Sequence, residues 1–141
     1  MKTVSYKNIL PFFLVVAFVL APSIGAAKKQ KSYGDFKNVR FVKNYDGDTI
    51  TVDLKDQHPL FGDDISVRVA GIDTPEIRGK CAQEKELARE AKRIVGDLLK
   101  NARSIKLKNV RRGKYFRIVA DVYAGRKNVA DVLVKEGLAV R

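Results

Sequence analysis

The stretch from Ile65 through Arg68, Gly71 and Asp73 to Glu76 limits the possible folds more than any other part of the chain. Ile65 to Ile72 is apolar and carries a single arginine, which suits a strand with one buried face. Pro75 stops that strand, because proline gives a ladder no N–H and turns the residue before it away from helix. One cation and two carboxylates, Asp73 and Glu76, therefore gather at one strand end. Burying charges costs free energy unless each is paired, so a structural role gains little from the cluster, whereas a site that processes phosphate requires one. Asp46-Gly47-Asp48-Thr49 upstream can add a third carboxylate, and Lys114-Tyr115-Phe116-Arg117 downstream a second guanidinium.

The flanking sequence supplies the elements of a small barrel. Phe36 to Lys43 and Thr49 to Leu54 are β-rich and separated by an Asp-Gly turn signal, so they predict a hairpin. Lys55 to Asp64 lacks periodicity and reads as a surface loop before the third strand, Ile65 to Ile72. Ala82 to Asn101 repeats apolar residues at three- and four-residue spacing (Leu87, Ala91, Ile94, Val95, Leu98, Leu99) and predicts one long helix packed on the sheet. Ser104 to Asn109 and Phe116 to Tyr123 predict strands four and five. Asn128 is placed to cap a short helix, Val129 to Glu136, with Gly137 at its end. Five strands with a helix between the third and fourth are the layout of an α+β OB-fold barrel.

Arg68 and Asp73 pose a geometric problem. They are five residues apart, so on an ideal strand they face opposite sides. Gly71 between them predicts a bulge or sharp bend that returns both to one side.

The N-terminal region reads differently. Lys2 and Lys7, an apolar run from Ile9 to Leu20, and the small residues up to Ala27 have the layout of a secretory signal, with cleavage expected after Ala27. An uncleaved membrane anchor is the alternative, since Ile9 to Ala27 is almost long enough to span a bilayer. Removing residues 1–27 from the 141 leaves 114, the length of one domain. Residues 28–35 read as a flexible basic lead-in and 36–141 as the folded domain. The full chain has a formal charge of +12, and losing Lys2 and Lys7 leaves +10. That charge attracts polyanions, nucleic acid first and an anionic membrane surface second, although it also serves solubility. Cys81 is the lone cysteine, so no intramolecular disulfide forms, and with His58 as the lone histidine a closed zinc site is not expected. Arg78 and Lys80 give Cys81 a setting that can activate a thiol, although a partly buried residue at a helix start is the plainer reading.

Hard oxygen ligands suit calcium or magnesium. Asp48 and Asp73 are the candidate metal ligands, with the Thr74 carbonyl as a third. Arg68 and Arg117 can each offer a planar fork of donors to phosphate oxygens. Glu76 can take a proton from an attacking water, or orient it.

Taken together, Asp46-Gly47-Asp48-Thr49, Arg68 followed by Asp73-Thr74-Pro75-Glu76, and Lys114-Tyr115-Phe116-Arg117 resemble the staphylococcal nuclease (thermonuclease) family over about residues 39–141. The resemblance implies an OB-fold barrel, calcium held by Asp48, Asp73 and Thr74, a catalytic Glu76, and phosphate-binding Arg68 and Arg117, with Lys114 and Tyr115 beside the substrate. It implies hydrolysis of DNA and RNA to 3′-phosphorylated products by a monomer that favours single strands. The leader, not the resemblance, places the protein outside the cytoplasm, periplasmic or secreted, or membrane-anchored where the leader stays uncleaved. A binding barrel without turnover is the alternative, because fold does not fix function. Two departures stand out: the family's Lys-Tyr-Gly-Arg has Phe116 in place of glycine, and the family's name-giving member continues past the Gly137-Leu138-Ala139 stretch with stacking tyrosines and a helix. Weaker nucleotide affinity, not loss of chemistry, is the expectation.

Overall fold

The structure, a computed structural model, describes residues 31–141; the expected leader lies outside the described residues. Strands β1 (Phe36–Asn44) and β2 (Thr49–Leu54) form the expected antiparallel hairpin. Asp46 closes its turn, accepting from the backbone N–H of Asp48 at 3.1 Å and of Thr49 at 2.7 Å. This side-chain turn is the local alternative to a ladder that short polar residues offer. Gly47 is required by space, since a Cβ there would stand 2.8 Å from the Ala91 Cβ on the helix behind it.

β3 (Ile65–Val69) pairs antiparallel with β2, β4 (Ile105–Arg112) with β1, and β5 (Ile118–Ala124) with β4. A parallel pairing of β3 with β5 then closes the ring. The α+β fold with a closed five-stranded OB-type barrel is thus as the sequence predicts, and closure leaves those strands no open edge. A two-residue strand, β6 (Lys127–Asn128), adds to β5 outside the ring.

Alternate residues of each strand fill the interior. Ile50, Val52, Val67, Val69, Leu107 and Val122 are buried there, α2 (Ala82–Lys100) lays Ala88, Ala91, Val95 and Leu99 over them, and α3 (Val129–Lys135) adds Val129 and Leu133. Truncating a residue such as Leu99 to alanine costs about 2–5 kcal/mol. The face of α2 differs in one place from the expected stripe. Leu87 is exposed and Ala88, one position on, is fully buried, so the buried stripe runs through Ala88, Ala91, Val95 and Leu99 with Leu87 outside its edge.

Other departures concern element ends. The loop before β3 contains a one-turn helix, α1 (Pro59–Gly62), and His58 caps it by accepting from the Leu60 N–H at 3.2 Å. β3 stops at Val69 rather than Ile72, and Gly71 lies in the left-handed region at φ +72°, the irregular backbone expected there. β4 runs on to Arg112 through a register shift at Asn109. Asn109 has φ +50°, its N–H donates to Asp35, and its side-chain amide donates to Asp121 at 2.6 Å. β5 begins at Ile118 rather than Phe116, because Lys114 to Arg117 form a tight turn closed by the Arg117 N–H donating to the Lys114 carbonyl at 3.2 Å. The lead-in is also more ordered than expected at its end. The Tyr33 N–H donates to the Val110 carbonyl at 2.7 Å, and the Val110 N–H to the Gly34 carbonyl at 3.0 Å. The cap at Asn128 and the left-handed Gly137 after α3 are as predicted.

Candidate active site

Where β2 begins and β3 ends, the two strands lie side by side, with Thr49 opposite Arg68. This pairing brings Asp48 next to Arg68, and the Val69 N–H donates to the Asp48 carbonyl at 2.7 Å. Arg68 uses both ends of its fork: Nη1 donates to Asp48 Oδ1 at 3.0 Å, and Nη2 to Asp73 Oδ1. The bend at Gly71 has therefore returned Asp73 to the side of Arg68, as the spacing problem demanded. The Asp73 backbone is fixed by a two-way bridge to Val140, donating to the Val140 carbonyl at 2.9 Å and accepting from its N–H at 3.0 Å.

The two carboxylates sit in different surroundings. Asp48 is 3% exposed and Asp73 projects into solvent. Burial, helped by the negative charge of Asp46, pushes the Asp48 carboxyl above its ordinary pKa. Arg68, the Thr49 hydroxyl at 3.0 Å and the Thr74 N–H at 3.3 Å pull the other way.

Beside this cluster opens a cleft of about 260 Å³ whose walls include Arg68, Glu76 and Arg117, with Tyr45 and Arg78 at its sides. Three arginines, Arg68, Arg78 and Arg117, and two acidic residues, Glu76 and the turn-closing Asp46, thus border a single solvent-filled space. Such a space suits an anionic oxygen group, held by the forks and met by a carboxylate able to manage a proton. Lys114 and Tyr115 do not line the cleft. They stand exposed on the tight turn before Arg117, and Tyr115 is in left-handed backbone at φ +55°, as is Phe116 at +59°. Consecutive non-glycine residues in that region carry strain of about 1–2 kcal/mol each, and such strain concentrates at functional sites.

A divalent cation can be tested against these donors. Asp48 and Asp73 supply hard oxygens that converge on one positive centre, the Arg68 guanidinium. That donor chemistry fits calcium or magnesium, and Thr74 follows Asp73 directly, within reach of the same place. Among the described residues no group of three His, Cys, Asp or Glu side chains is disposed to hold a metal. Water and substrate oxygens would therefore complete the shell.

Sequence reasoning missed Tyr45 and Arg78 as cleft residues. Arg78 follows Glu76 by two positions, which is the signal that could have found it. It also missed Asp53, a second buried carboxylate at 2% exposure. Asp53 accepts from Arg40 Nε at 2.8 Å, from Lys55 at 3.1 Å and from the Asp64 N–H at 3.1 Å. The Asp64 N–H first, and then Arg40 and Lys55, hold its carboxyl well below the usual carboxylate range. Cys81, expected to be partly buried, is exposed and caps α2, its Sγ accepting from the Glu84 N–H at 3.4 Å.

Barrel and cleft together define an oligonucleotide-type fold with a site for an oxyanion at the end of β3. The model of the staphylococcal nuclease homologue family matches residues 66–141, and the chain belongs to that family. Among curated proteins, it is 37% identical over 79 residues to the probable endonuclease LCL3 of Phaeosphaeria nodorum, covering 53% of this chain and 26% of that protein. It is 35% identical over 109 residues to endonuclease YncB of Bacillus subtilis, covering 72% of this chain and 46% of the other. To an uncharacterized endonuclease of Haemophilus influenzae it is 28% identical over 136 residues, covering 96% and 65%. The chain therefore spans between 26% and 65% of the length of these relatives.

Proposed function

We propose that the protein is an exported, calcium-dependent nuclease that hydrolyses phosphodiester bonds in DNA and RNA, favours single strands, acts as a monomer and leaves 3′-phosphorylated products. One observation carries the reading: Arg68, Glu76 and Arg117 border one cleft, and Asp48 and Asp73 are both paired to that same Arg68. The endonuclease names of the relatives support it, as does the net charge of +12, which draws a polyanion toward the molecule.

Arg68 and Arg117 bind two oxygens of the scissile phosphate and hold it for attack along one line. Glu76 orients a water and takes its proton as the oxygen bonds to phosphorus, while the 5′ P–O bond breaks and the departing 5′-oxygen takes up a proton from solvent water, leaving a 3′-phosphate and a 5′-hydroxyl. Asp48, Asp73 and the Thr74 carbonyl would hold calcium, which supplies further positive charge where negative charge builds on the phosphoryl oxygens. Arg68 contacts both these carboxylates and the cleft, so its fork passes from carboxylate to phosphate as substrate enters. Lys114 and Tyr115 flank the strand on the exposed turn.

The test is cleavage of single-stranded DNA with calcium, with magnesium and with chelator, beside a Glu76→Gln control. Calcium-dependent cutting that disappears in the control is expected. Salt-sensitive binding without any cutting would overturn the nuclease reading in favour of a binding barrel. Localisation is tested by fractionating cells that express the full chain; protein confined to the cytoplasm would count against export.

A further inference from the structure

The open end of the barrel takes no part in the chemistry above. There the ends of β2, β4 and the starts of β3 and β5 leave a mouth of about 220 Å³ with mainly apolar walls. Its charged lining residues, among those described, are Arg111 and Arg112. Phe61 of α1 and Tyr33 of the lead-in stand at its rim, 69% and 58% exposed. Large aromatic rings left this open on a monomeric barrel mark a contact surface.

The mouth adjoins the catalytic cleft. On β3, Ile65 lines the mouth and Ser66 the cleft; beside it, Arg117 lines the cleft and Ile118, the first residue of the paired strand β5, the mouth. Consecutive strand residues advance by about 3.3 Å and point to opposite faces, so one wall separates the two depressions. Phe116 precedes Arg117 and has the guanidinium of Arg112, a mouth residue, 5.4 Å from its ring centroid.

We propose that the barrel mouth is a second substrate subsite, which receives a nucleobase of the same single strand whose phosphate is held at Arg68 and Arg117. The base stacks on Phe61, and Arg111 faces the phosphate next to it. A nucleotide is the ligand that joins a flat π-face to an obligatory anion, which is what exposed aromatic rings beside guanidinium groups recognise. An aliphatic ligand would fill the apolar walls and make no use of the cations. The identity of the strand rests on the nuclease reading; the binding of a base does not.

The experiment is a fluorescence-anisotropy titration of the full chain with a labelled thymidine pentanucleotide in chelator, comparing wild type, Phe61→Ala and Phe61→Trp. Phe61→Ala should bind about tenfold more weakly, the size of one lost base stack, while Phe61→Trp keeps wild-type affinity. Pentanucleotides made abasic at each position in turn should include one to which wild type binds more weakly and Phe61→Ala no worse than to the intact strand, since both changes remove the same contact. Phe61 is exposed, so equal thermal midpoints are expected and check that the fold survives. Unchanged affinity in Phe61→Ala, an equal loss on every abasic strand, or no binding by wild type would overturn the subsite. So would a concentration-dependent dimer, seen by sedimentation, that Phe61→Ala abolishes, because a second copy would then cover the mouth. Cutting of the same strand with calcium is scored separately: binding without cutting sinks the nuclease reading alone, and cutting with unchanged KM in Phe61→Ala sinks the subsite alone.

Discussion

Asp48 and Asp53 sit five residues apart at the two ends of one strand and are almost equally buried, yet their surroundings differ in kind. Asp53 accepts from two cations and a backbone N–H, and its carboxyl is held well below the usual range. Asp48 shares its one cation with Asp73, lies near a like charge, and has its carboxyl pushed up. The first arrangement satisfies a charge within the protein alone. The second leaves negative charge in excess beside a solvent-filled cleft, and that excess is what a cation or an arriving phosphate's counter-charges can resolve. Burial by itself thus does not distinguish a structural carboxylate from a working one; the count of cations around it does.

The comparison is broken most directly at the two arginines. Arg68→Lys keeps a charge and removes the fork, so kcat should fall by about 10²–10³-fold, the cost of losing one oriented transition-state donor. Arg40→Lys at Asp53 should leave kcat unchanged. Steady-state kinetics on single-stranded DNA decides it, and full activity in Arg68→Lys would remove the phosphate clamp from the mechanism. At the carboxylates themselves, Asp48→Ala should raise the calcium needed for half-maximal rate by at least about tenfold, since even residues that only support a metal's ligands cost that much. An unaltered calcium titration would take Asp48 out of the ligand set.

Asp53→Asn should do the reverse, sparing the activity of folded protein and lowering its thermal midpoint. Because the folded-state pKa of Asp53 is depressed, its stabilisation is fully present above the unfolded value near pH 4 and is lost as pH falls through the folded value. Thermal melts below about pH 4 should therefore be less steeply pH-dependent in Asp53→Asn than in wild type. Identical pH slopes would show that Asp53 carries no such linkage. The smallest effect is expected at the turn before Arg117. Phe116→Gly relieves a left-handed residue and should raise stability by up to about 1 kcal/mol, read from urea midpoints, since glycine's greater freedom when unfolded offsets part of the gain.

These regions were unequally legible in the sequence. The Asp48 cluster announced itself because its parts carry local signals: an Asp-Gly turn, a proline stop, and a glycine placed where the spacing from Arg68 to Asp73 needed a bend. Asp53 gave none. Strand alternation puts it outward with Thr49 and Thr51, and it is buried only because Arg40 stands opposite it in the hairpin register while the loop at Asp64 folds over it. A register drawn from the hairpin would have revealed the pair. The turn at Tyr115 and Phe116 was illegible for another reason, since aromatic residues favour strands and tertiary context alone holds them in left-handed backbone. Leu87 was misread because it stands at the margin of the apolar stripe, next to the buried Ala88, and periodicity locates the centre of a helix face better than its edge.

The bridge between Asp73 and Val140 has a bearing on how the protein is made. The strand end that carries Asp73 leaves the ribosome long before Val140 does, and domains take shape as their parts emerge. A nascent chain already possesses both forks and the glutamate while the backbone of one carboxylate has nothing to hold it. The arrangement of the site thus waits for the segment at Val140, and fragments that stop short of it carry the site's residues without that arrangement.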